Sequence, residues 1–257
     1  MSPHFDPSIN RCTAADPVGI LDRVSGAVKG AGMDLLLEGV VGSVAYGLDT
    51  PDSDVDYAGI YAEPTGLLLG LHPPVRERAT KQGRDGSDAT YHEIGKAMAL
   101  MLSCNPTASD LLWLDKYTAT SEFGAELVSL RHCFLSARRV RDAYFGYATS
   151  QFRRLLDRGE PQGLPDKRRA KHARHTMRLL WQGLELYTTG TLPLRVPDAE
   201  RYFEFGARVT ATGGEQVARA LIEEYEAKFD SATTVLPTVP DEAPLEDFLQ
   251  RLRRAKL

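Results

Sequence analysis

The sequence has no apolar run near the roughly 18 residues that a membrane span needs, so no spanning helix is expected. Its three cysteines, Cys12, Cys104 and Cys133, are odd in number and widely spaced. That argues against a disulfide framework or a zinc site and suits a reducing cytoplasm. The first residues, with His4, Asp6 and Pro7, show no basic stretch followed by an apolar one, so no secretory signal is expected. A Walker A sequence and a Gly-x-Gly-x-x-Gly turn are also lacking, which removes P-loop and dinucleotide-binding readings. There is no internal repeat and no low-complexity tract. These absences predict a cytoplasmic protein with no membrane partner, and they reveal no obligate protein partner.

What is present is ordinary in amount but uneven in distribution. At 257 residues, with 42% hydrophobic and 26% charged side chains, the chain can bury a substantial core in one large domain or two modest ones. The net charge of -4 hides a division. Residues 131–178 carry thirteen Lys/Arg against four Asp/Glu, leaving 18 basic and 31 acidic residues elsewhere. An acidic half that collects metal and a basic half that meets phosphates would look like this. Arg-rich helices that pair with the acidic half are the plainer alternative.

Periodicity predicts helix at 18–29, a buried strand at 35–41, a helical turn at 43–48 and a second strand at 55–61. A polar loop or hairpin at 76–87 precedes a third strand at 88–93 and a helix at 94–104. Asn105-Pro106 ends that helix, because proline removes a donor and restricts the residue before it. Helices follow at 109–114 and 122–130, and from Ser136 the pattern is almost wholly helical, with long segments at 137–157, 167–188 and 214–230. A Pro/Thr-rich linker at 233–244 leads to an amphipathic end, 245–257. The expectation is an α+β domain, 1–130, followed by an all-helical domain, 131–257.

The densest chemistry lies at Gly42-Ser43 and, after ten intervening residues, Asp54-Val55-Asp56. On a strand the two aspartates would share one face, since side chains repeat every two residues. Neighbouring carboxylates repel, and a divalent cation is the common physical reason to hold them together. A Gly-Ser turn nearby offers a phosphate close backbone approach and a hydroxyl donor. Together these read as metal-assisted transfer of a phosphorus-containing group. The alternative is a solvated acidic loop, in which Asp49, Asp52, Asp54 and Asp56 cap turns. Asp-x-Asp alone is a weak signal, because turns are rich in aspartate.

The arrangement resembles the polymerase β nucleotidyltransferase superfamily: a small mixed sheet flanked by helices. The wider run Gly42-Ser43-Val44-Ala45-Tyr46-Gly47 with Pro51-Asp52-Ser53-Asp54-Val55-Asp56 is similar to one branch, the RNA repair pathway DNA polymerase beta family. Further matches are Asn105-Pro106 with Asp110-Leu111-Leu112, Phe134-Leu135-Ser136, Tyr147-Ala148 with Gln151, and residues 171–190. The resemblance implies that Gly42 and Ser43 contact the phosphates of a nucleoside triphosphate, and that Asp54 and Asp56 bridge two Mg²⁺ ions, or Mn²⁺ in their place. It also implies a third carboxylate on a neighbouring strand. Asp88 fits best, with Glu93 as competitor and Asp85 a distant third. The implied reaction moves a nucleoside monophosphate to a hydroxyl, most naturally on an RNA end such as that of tRNA, releasing pyrophosphate. A small-molecule or protein acceptor, or a non-catalytic RNA- or nucleotide-binding module, are the alternatives.

Lys167, Lys171, Arg174 and Arg178 recur at helical spacing as one stripe, with Ala170, Ala173, Met177, Trp181 and Leu184 as another. The first could be a phosphate-binding wall, and the resemblance singles out Lys171, His175 and Arg178. It could equally be the exposed side of an ordinary amphipathic helix. Tyr144, Phe145, Tyr147 and Phe152 lie among arginines, an interleaving that either stacks bases or packs helices.

Overall fold

The computed structural model describes residues 34–73, 79–82, 88–156 and 166–257. The helix expected at 18–29, Cys12 and Asp85 lie outside them. Five strands form one mixed sheet: β1 (Asp34–Val41), β2 (Asp56–Ala62), β3 (Ala79–Gln82), β4 (Asp88–Glu93) and β5 (Ala119–Thr120), in the order β3-β4-β2-β1-β5. Only β2 and β4 run parallel; the other neighbours are antiparallel.

Two registers position everything that follows. Val41 at the end of β1 pairs with Asp56, the first residue of β2. Asp56 in turn pairs with Asp88, the first residue of β4. Strand alternation then sorts the side chains. Asp56, Ala58 and Ile60 share a face with Asp88, Thr90 and His92, whereas Tyr57, Tyr61, Ala89 and Tyr91 pack together on the other. On that second side the Tyr91 hydroxyl donates to the buried Glu38 carboxylate at 2.6 Å, which also accepts from Thr118 at 2.7 Å.

Helices cover the sheet and continue beyond it. Ile94–Leu102 is capped by the Glu93 carboxylate, which accepts from the Gly95 N–H at 2.7 Å. Asn105 caps the short helix Pro106–Ser109, and a 3₁₀ turn, Asp110–Trp113, replaces the single helix expected at 109–114. Proline at the first helical position suits that start. Glu122–Ser129, Ala137–Leu156, Asp166–Thr189, Ala199–Thr210, Gly214–Ser231 and Glu242–Ala255 follow. The two long helices approach so closely that a Cβ on Gly183 would lie 2.5 Å from the Tyr144 side chain. One apolar core runs from Leu36 and Ile60 of the sheet through Tyr144 and Leu180 to Phe248 and Leu252.

The last helix does not stay with the helical half. Arg253 pairs with the fully buried Glu93 at 2.6 Å, Lys256 pairs with Asp34 at 2.7 Å, and the Thr65 hydroxyl donates to the Arg253 carbonyl at 2.7 Å. The chain end therefore reaches back across residue 130 and fastens to the sheet. No helix of the described residues is long and apolar enough to cross a membrane.

Candidate active site

At the end of β1 the backbone turns through Gly42, whose φ of 71° lies in the left-handed region that favours glycine. A Cβ at this position would collide with the Asp56 carboxylate, so glycine is needed for conformation and for room. The turn enters the short helix Gly42–Tyr46, which carries Ser43 and closes on Gly47 with φ 67°.

Asp56 and Asp88 stand side by side on adjacent parallel strands, facing the same way. Asp54 differs from the expectation. Strand β2 begins at Asp56 because pairing with β1 stops at Val41, so Asp54 sits exposed in the segment before the strand. It still acts on Asp56. Partial burial lifts the Asp56 carboxyl above the ordinary carboxylate range, Lys171 pulls it down, and Asp88 and Asp54 push it up again. Glu93 lies at the other end of β4, about 17 Å along the strand from Asp88, and faces the opposite side of the sheet. It is occupied with Gly95 and Arg253. Of the two candidates for a third carboxylate among the described residues, only Asp88 adjoins Asp56.

Among the described residues no three His, Cys, Asp or Glu side chains close into a ready metal cage. The donor chemistry nonetheless fits a hard divalent cation, since carboxylate oxygens suit Mg²⁺ or Mn²⁺ and offer nothing to a soft metal.

Helix Asp166–Thr189 crosses in front of these acids. Exposed Lys167 pairs with Asp52 at 3.5 Å, a contact of little energy that marks where the first turn lies. Lys171, one turn on, is exposed and close enough to Asp56 to lower its protonation. His175 is half-buried, its ring centroid 6.4 Å from that of Tyr147 and its Nδ1 3.0 Å from Arg178. Burial first, then Arg178, His172 and Lys171, hold its pKa well below the usual value.

Arg178 departs from the expected basic stripe. It is 1% exposed, because the second half of the helix is embedded in the core. Its guanidinium lies 3.6 Å over the Tyr46 ring and donates to Gln182. The Tyr46 hydroxyl donates to the buried Asp110 at 2.5 Å. Gln182 donates to the carbonyls of Pro193 at 2.9 Å and Leu194 at 3.0 Å, and the Val196 N–H returns to the Tyr46 carbonyl at 3.0 Å. Burial raises the Asp110 pKa to about 6, against the pull of Arg178 and the Tyr46 hydrogen bond. The sequence placed Tyr46 and Asp110 within runs that match the family but gave them no role, and Gln182 was missed. A lone acid in the apolar run Asp110-Leu111-Leu112-Trp113 was a further signal of a buried charge.

A cavity of about 510 Å³ opens beside Asp56 and Asp88. It runs along Ala58, Thr90 and His92 to Leu100 and Met101, with Asn105 and Tyr147 on its walls. Tyr147 is partly exposed there, whereas Tyr144 and Phe152 are buried helix-packing residues.

Residues 18–212 match the RNA repair pathway DNA polymerase beta family. The chain belongs to that family. It is thus a polymerase beta-type nucleotidyltransferase-like protein. No curated protein sequence matches the chain. A solved nucleotidyltransferase-like protein from Exiguobacterium sibiricum 255-15 is similar at 11% identity, covering 93% of this chain and 80% of that one. Its TM-score of 0.35 makes this a slight likeness.

Proposed function

We propose that the protein transfers a nucleoside monophosphate from a nucleoside triphosphate to a hydroxyl, most naturally on an RNA end, with Mg²⁺. The observation that carries this reading is the pairing of Asp56 and Asp88 at the mouth of a cavity, beneath the Gly42 turn and opposite Lys171. Asp54, Asp56 and Asp88 would hold divalent cations, two of them on the family pattern. When bound, these supply charge neutralisation of the triphosphate and a lowered pKa for the attacking hydroxyl.

The chain's own residues do the rest. Gly42 leaves room for close approach of a phosphate, and Ser43 offers a hydroxyl donor. Lys171 faces the charge that develops as pyrophosphate leaves. Asp88 accepts the proton of the acceptor hydroxyl. The hydroxyl oxygen bonds to the α-phosphorus, and the bond from that phosphorus to the bridging oxygen of the β-phosphate breaks. His175, kept neutral by its surroundings, helps position the phosphates without adding charge.

In this reading residues 1–130 carry the chemistry and 131–257 supply a basic substrate-binding face. Exposed Lys167, Arg168 and Lys171 beside the mouth suit an RNA backbone. Cys104 and Cys133 are free thiols, in keeping with a cytoplasmic setting. The test is incubation with MgCl₂, each labelled NTP and mixed RNA, followed by separation of products. Label on RNA ends with release of pyrophosphate is expected. Label on a small molecule or on protein would reassign the acceptor, and nucleotide binding without transfer would make this a binding module.

A further inference from the structure

We propose that Tyr46, Asp110, Arg178 and Gln182 are positioning residues, a buried polar ring that sets the Gly42–Tyr46 turn against the Lys171 helix and so holds the two sides of the site in register. The inference rests on the transfer reading above.

Three walls of the site meet at this ring. Tyr46 ends the same short helix that carries Ser43. Arg178 lies seven residues, about two turns, beyond Lys171 on one helix. Asp110 begins the 3₁₀ turn whose next residue, Leu111, lines the cavity. The links join these walls in a closed circuit. Tyr46 binds Asp110 through its hydroxyl, carries Arg178 on its ring face and accepts Val196 at its carbonyl. Arg178 binds Gln182, and Gln182 anchors the carbonyls of Pro193 and Leu194, two residues before Val196.

Stability alone is a poor reason for such a circuit. Burying a carboxylate and a guanidinium costs desolvation that well-packed apolar residues would avoid. What directional bonds add is a single geometry, because apolar surfaces slide over one another and hydrogen bonds do not. Arg178 is therefore assigned here to its neighbours and not to a phosphate. Its side chain is 1% exposed, and its guanidinium covers Tyr46.

The test compares Tyr46→Phe, which keeps the ring under Arg178 and removes only the hydroxyl, with the native chain. Hydrogen exchange at the Leu48 and Val196 amides reads the turn directly, without any ligand. Those amides bond to the Ser43 and Tyr46 carbonyls. Exchange about tenfold faster at both, with β1 amides unchanged, is expected for loss of one buried hydrogen bond. A second readout is the binding of ATP, GTP, CTP and UTP, each with MgCl₂, to four chains: native, Tyr46→Phe, Lys171→Ala and the double variant. If the turn and Lys171 act in register, Lys171→Ala weakens binding about tenfold in the native background and less than about twofold with Tyr46→Phe. Equal losses in both backgrounds, or unchanged exchange at Leu48 and Val196, would overturn the proposal. If the native chain binds none of the four nucleotides, the transfer reading fails, and the exchange experiment still decides the positioning.

Discussion

Two aspartates in this molecule are both held above the ordinary carboxylate range, and for different ends. Asp56 sits half-buried at the mouth of the cavity with Asp54 and Asp88 pressing on it and Lys171 alone relieving it. Asp110 sits fully buried a few residues from the same cavity, with Tyr46 and Arg178 as partners. The first cluster is electrostatically unsettled and open to a ligand. The second is closed to solvent and draws its partners from the protein alone. Charges that do chemistry must remain available, and charges that hold geometry must be satisfied by the protein itself.

Changes at the mouth should cost activity and spare the fold, whereas changes in the ring should do the reverse first. The largest effect expected is from Asp56→Asn, which removes a metal-holding oxygen charge. Transfer should fall on the order of 10³-fold, several kcal/mol of transition-state stabilisation. The melting temperature should hold or rise, because repulsion with Asp54 and Asp88 is relieved. Steady-state kinetics and calorimetry read both, and a destabilised but active variant would break the comparison.

Arg178→Leu should act in the opposite way. Asp110 Oδ1 is buried and has no hydrogen-bond partner among the described residues, so Arg178 is its main counter-charge. Removing that charge should cost about 3–5 kcal/mol in urea unfolding. A loss below about 1 kcal/mol, the range of a surface pair, would show that Arg178 is not the counter-charge that Asp110 depends on.

Asp110→Asn sharpens the same point through pH. The folded pKa is about 6, and the unfolded one is about 4. Between these values the folded chain binds more protons than the unfolded one, so this group's contribution to stability falls as pH rises. Native stability relative to the Asp110→Asn variant should therefore drop by about 2 kcal/mol from pH 4 to pH 6 and level off above about pH 7. A difference that is flat with pH would place Asp110 in a polar, not an apolar, setting. The smallest effect is that of Lys171→Ala on RNA affinity, a loss that shrinks as salt rises, with a slope lower by about one. An unchanged slope would return the exposed turn of that helix to an ordinary solvated face.

Much of the mouth was legible in the sequence because it is local. Gly42 sits where an apolar run must turn, and the strand expected at 35–41 follows from that run, as the one at 88–93 follows from the alternation of its own residues. Asp88 against Asp56 was readable only as a choice among acids, since a parallel register depends on the long connection between β2 and β4. Asp54 falls outside the strand, because pairing and not composition sets where β2 begins. The ring was hidden for a different reason. Spacing marks Arg178 as one more member of a basic stripe, and only the packing of the helix's second half against Tyr46 and residues 193–194 buries it. The return of Glu242–Ala255 to the sheet, and the two-residue strand β5, are likewise long-range facts with no local pattern.

The most direct measurement is Mn²⁺ binding, followed by electron paramagnetic resonance, in the presence of the nucleoside triphosphate that serves best in transfer. The native chain should take up Mn²⁺ at the mouth, while Asp56→Asn and Asp88→Asn, each with native far-ultraviolet dichroism, lose it. Equal uptake by all three chains would contradict the claim that these paired strands begin with a cation site.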